Sequence, residues 1–111
     1  MTDVLLVCSD DGCVREIKAS GHAGFLKKGK DIVCSAETAL LRTALQVLEE
    51  TAGVKLTKDV STRGRLCFRV ESIGSASKER LVCIADFVRK GITSLSDEYP
   101  DCIRFAESRQ S

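Results

Sequence analysis

The chain has 111 residues, of which 43% are hydrophobic and 30% charged, with a net charge of +1. That is enough for one compact domain and too little for two. The near-neutral charge gives no electrostatic reason to expect nucleic acid or an anionic membrane as a partner, and no apolar run reaches the roughly 18 residues that a spanning helix requires.

Met1-Thr2-Asp3 leads into a continuous apolar run, Val4 to Cys8, which predicts a buried strand. It lacks the basic and long apolar regions of a signal peptide, so a cytoplasmic protein is expected. Ser9-Asp10-Asp11-Gly12 is a turn, with Gly12 suited to a positive φ, and Cys13 to Ala19 alternates loosely. Together these predict a β-hairpin. Ser20 to Lys30 holds Gly21, Gly24 and Gly29 among three lysines and predicts a mobile loop; Phe25 and Leu26 are its apolar residues. Lys27, Lys28 and Lys30 read as a solvated basic cluster.

Ile32 and Val33 read as a strand-like stub, followed by a helix from Ser35. Its apolar positions are Ala36, Ala39, Leu40, Leu41, Ala44, Leu45, Val47, Leu48 and Ala52. Glu37 falls in the first turn of that helix and Gly53 at its C-cap. Val54 to Val60 and Leu66 to Val70 predict a second pair of strands around a turn at 61–64. After Gly74 to Ser77, with serines suited to N-capping, Leu81, Ile84, Ala85, Val88, Ile92 and Leu95 mark a second helix. Gly91 is a candidate break in it, and Tyr99-Pro100 ends it. Cys102 to Ala106 predicts an edge strand, which closes a single domain over 1–106, and Glu107 to Ser111 a frayed polar tail. The order is ββαββαβ, an α+β two-layer sandwich with two helices on a mainly antiparallel sheet.

Six cysteines occur, and without a secretion signal they read as reduced thiols packed as small hydrophobes. No C-x-x-C pair marks a zinc ribbon or a thioredoxin-like site. A metal set of Cys8, Cys13, His22 and Cys34 would draw on dissimilar spacings, a weak signal, so no cofactor or metal is expected.

Cys34 stands out by position. At a helix start the dipole and unpaired backbone N–H groups favour thiolate over thiol. His22, twelve residues upstream and the only histidine, is the one good candidate base for a thiol at neutral pH. Asp31 has two readings: it orients the imidazole, or it only meets backbone amides and the dipole at the start of the helix. Ser35 and Thr38 either cap backbone N–H groups or, for Thr38, face the site one turn above Cys34.

Gly21-His22-Ala23, a short Gly-containing loop, and then Gly29-Lys30-Asp31-Ile32-Val33-Cys34 resemble the Prp family, the ribosomal-processing cysteine proteases. Length and element order agree over nearly the whole chain. The resemblance implies a cytoplasmic, homodimeric cysteine peptidase involved in ribosome biogenesis. Its substrate would be the precursor of large-subunit ribosomal protein twenty-seven, from which it removes a short N-terminal extension after an apolar, aromatic-containing motif. It makes His22 the base and Cys34 the nucleophile, with Asp31 matching the motif. Gly21, Ala23, Gly24, Phe25, Leu26 and Gly29 would form a loop over the substrate. Where the family often has small residues and a serine after the cysteine, this chain has Ser35, Glu37 and Thr38. Thr38 keeps the hydroxyl, and Glu37 adds charge. Two other classes remain open from the residues: a non-catalytic ribosome-associated binding module, and a thiol redox or metal-binding protein.

Overall fold

The computed structural model describes residues 1–21, 30–60 and 65–110, with Lys30 and Asp31 described by their backbone alone. The elements are β1 (Thr2–Ser9), β2 (Val14–Gly21), α1 (Lys30–Glu49), β3 (Lys55–Asp59), β4 (Arg65–Ser72), a 3₁₀ turn (Ser75–Ser77), α2 (Lys78–Glu98) and β5 (Ile103–Gln110). The predicted ββαββαβ order holds. One five-stranded sheet forms in the order β3-β4-β2-β1-β5. Every pairing is antiparallel except β1 with β5, which is parallel.

The first hairpin turns as its residues demand. Gly12 takes φ +88°, the Gly12 N–H donates to the Ser9 carbonyl, and Asp11 accepts from the Ser9 hydroxyl and, at 3.4 Å, from the Cys13 N–H. Along β1, Thr2, Val4, Leu6 and Cys8 alternate onto the buried face. Ile17 and Ala19 of β2 and Leu66, Phe68 and Val70 of β4 continue that face across the sheet. Asp3, Lys18, Arg65, Arg69 and Glu71 are exposed on the other side.

Both helices close over the apolar face. Val33, Leu41, Ala44, Leu45 and Leu48 of α1 join Leu81, Ile84, Ala85, Val88 and Ile92 of α2 in one core with the strands. Gly91 does not break α2. A Cβ there would collide with the end of the Leu40 side chain, so the glycine leaves room for Leu40 of α1. The hydroxyl of Ser77 donates to the Ala52 carbonyl at 2.6 Å and does not cap α2.

Residues 107–110 are not a frayed tail. They continue β5, with Glu107 opposite Leu6 and Gln110 opposite Ser9. Arg89 of α2 meets Glu107 at 2.8 Å, and Arg109 donates to the Ser9 carbonyl at 3.0 Å. Of the segment predicted as a loop, Ser20 and Gly21 belong to β2 and Lys30 to α1; residues 22–29 lie outside the described residues, as do residues 61–64, where a turn is predicted.

Candidate active site

Helix α1 begins at Lys30, not at Ser35. Ile32 and Val33 are helical because no glycine or proline separates Lys30 from Ser35, and Val33 falls in phase with Leu41, Ala44 and Leu48 on the buried stripe. Cys34 is therefore the fifth helical residue. The unpaired N–H groups of the helix belong to residues 30–33, in the turn before it. Cys34 thus lies just beyond the first turn, where the helix dipole is strongest.

The same shift relocates Glu37. It lies beyond the first turn, between Val33 and Leu41 on the core-facing stripe, only 5% exposed. Burial pushes its carboxyl above the ordinary carboxylate range, against a downward pull from the Thr38 hydroxyl, which donates to Glu37 Oε2 at 3.2 Å. Thr38 and Cys34 are both half-buried, and Ser35 is exposed. Asp31 lies by its backbone in the first turn of α1.

Among the described residues, Cys34 Sγ has one side-chain hydrogen-bond partner, Thr2 Oγ1, at 4.0 Å. Thr2 is paired with Gly21, the last residue of β2. Gly21 has φ +118°, and a Cβ on it would strike the Met1 carbonyl. The ends of β1 and β2 thus bring Gly21 beside the strand residue that touches Cys34. His22, Ala23, Gly24, Phe25, Leu26 and Gly29 lie outside the described residues, so the predicted His22–Cys34 geometry is not described. Thr2 carried no signal in the sequence, because only the pairing of β1 under α1 brings it to the thiol.

All six cysteines are free thiols. Cys8 lies 3.8 Å from Arg89 Nη2, and Cys13 lies 3.5 Å from the Lys78 carbonyl. Burial pushes both thiols above the ordinary cysteine value, and for Cys13 the Asp11 carboxylate adds to it. Both stay protonated at neutral pH and are buried, whereas Cys34 is half-buried.

The family model for the cysteine protease Prp matches residues 1–104. The chain belongs to the Prp cysteine protease family. It is 30% identical over 95 residues to the ribosomal processing cysteine protease Prp of Mycoplasma pneumoniae, covering 86% of this chain and 89% of that one. The fold matches the Prp protease of Staphylococcus aureus solved with a substrate peptide, with a TM-score of 0.80, 19% identity, and 97% and 100% of the two chains covered. The same S. aureus protease with a covalently linked product peptide gives a TM-score of 0.77 at 20% identity, over 97% of this chain and 100% of that one. As a Prp protein the chain is a cysteine protease of ribosomal processing, which decides against the non-catalytic binding module.

Proposed function

We propose that this protease removes a short N-terminal extension from the precursor of large-subunit ribosomal protein twenty-seven, with Cys34 as nucleophile and His22 as base. The observation that carries this is the half-buried Cys34 thiol, one turn inside α1 and beside the end of β2, where the chain runs on into His22. The S. aureus relative solved with a covalently linked product peptide is consistent with a nucleophilic role for Cys34.

His22 takes the Cys34 proton, and the thiolate attacks the scissile carbonyl. N–H groups of the first turn of α1 stabilise the oxyanion. His22 then protonates the leaving amine, and water hydrolyses the thioester. Asp31 supports His22 or the helix start. The segment from Gly21 to Gly29 covers the substrate. Ile32, 72% exposed in the first turn of α1, offers an apolar contact for the motif before the cut.

The protease works in the cytoplasm, as a homodimer, with no nucleic acid or membrane partner. Among the described residues no helix is long and apolar enough to cross a membrane.

Incubation with the ribosomal protein precursor of its own organism tests the substrate. A new N-terminus behind an apolar, aromatic-containing motif, read by mass, is expected. An intact precursor would contradict the assignment. His22→Ala should lower the rate by about 10²–10⁴-fold, the usual worth of a general base.

A further inference from the structure

Four polar or charged side chains are buried among the described residues: Thr2, Glu37, Thr51 and Ser77. Two of them close the far end of the helix pair. Thr51 donates to the Val47 carbonyl at 2.6 Å and accepts from Arg80 at 2.9 Å, and Ser77 donates to the Ala52 carbonyl. Glu37 is held by Thr38. Thr2 is different. It is 3% exposed, and among the described residues its hydroxyl has one partner, Cys34 Sγ.

A buried hydroxyl without a good partner is costly, and valine would fill the same space on a strand whose other inward residues are apolar. The main chain holds Thr2 firmly. Its N–H donates to the Cys102 carbonyl at 2.9 Å, and it pairs with Gly21 on one side and Ile103 on the other. The hydroxyl is thus fixed to a three-strand junction, aimed at a sulfur on the helix above.

We infer that Thr2 is a thiolate-stabilising residue of this protease, whose hydroxyl donates to Cys34 Sγ when the thiol has lost its proton. This rests on Cys34 being the nucleophile. In the resting thiol either atom can donate across this contact. When the Cys34 proton passes to His22, Thr2 keeps its own proton and directs it to the negative sulfur, a charge-assisted hydrogen bond. The 4.0 Å separation is that of the free enzyme, and such contacts shorten as charge develops. Once the thioester forms, the sulfur carries no charge and the bond weakens. Thr2 exchanges no atom with the substrate.

The test is the pH profile of iodoacetamide labelling of Cys34, resolved by peptide mass, in the full-length wild type, Thr2→Val and Thr2→Ser. Thr2→Val should label Cys34 about tenfold more slowly at neutral pH and move the midpoint of the profile to higher pH, as expected for loss of a hydrogen bond to a charged group. Thr2→Ser should keep the wild-type midpoint. A merely structural Thr2 would change the unfolding temperature and leave the midpoint where it is. Coincident profiles for wild type and Thr2→Val would overturn the inference. A wild-type Cys34 that labels no faster than in the urea-unfolded chain would instead overturn the nucleophile reading beneath it.

Discussion

Glu37 is the residue whose setting departs most from its type. A carboxylate on the core-facing stripe of α1 is held above its ordinary value of 4.5 chiefly by burial. The folded chain therefore binds this proton more tightly than the unfolded chain. The stabilising effect is full below the unfolded value and is lost as pH rises through the folded one. Glu37→Gln keeps the shape and removes the titration. Calorimetry should find the variant and wild type unfolding at similar temperatures near about pH 4, with the variant more stable at about pH 7. An unchanged difference at both pH values would contradict a buried, titrating carboxyl. The cysteines give a second residue-scale prediction. At neutral pH, alkylation should reach exposed Cys83 and half-buried Cys34 and spare Cys8 and Cys13, as read by mass mapping.

At the scale of elements, the β1–β2 hairpin, the alternation of β4 and the end of α2 at Tyr99-Pro100 were legible in the sequence, because each rests on local chemistry: a glycine turn, a period of two, a proline. The start of α1 was not. Ile32 and Val33 are too short a run to separate strand from helix by period, and only the burial of Val33 in the core, on the stripe that also carries Leu41 and Leu48, decides it. Gly91 misled for a related reason, since its meaning is tertiary: it makes room for Leu40. Cys34 and Thr38 could be named from sequence, but Thr2 could not, because a strand and a helix 32 residues apart in sequence make that contact. Two variants probe the elements that set the site. Leu41→Ala, fully buried on α1, should cost about 2–5 kcal/mol in denaturant unfolding. Gly21→Ala forces a side chain into φ +118° against the Met1 carbonyl. It should depress peptide cleavage more than Leu41→Ala does when both are assayed well below their unfolding temperatures.

Across the whole molecule, the parallel β5 ties the C-terminal stretch to β1, the strand that carries Thr2 to the thiol. A sequence reading sees in Glu107 to Gln110 only polar residues. Their order comes from backbone pairing along β1 and from Arg89 and Arg109. Deleting residues 107–111 should lower the thermal midpoint, where removal of a frayed tail would leave it unchanged. The sheet and α1 place the Cys34 thiol beside Thr2, which pairs with Gly21 at the end of β2. The measurement that reaches this most directly is cleavage of a peptide carrying the ribosomal extension by folded Cys34→Ala beside the wild type. The wild type should release the extension and Cys34→Ala should give no product above background. Cleavage by Cys34→Ala at the wild-type rate would contradict Cys34 as the nucleophile.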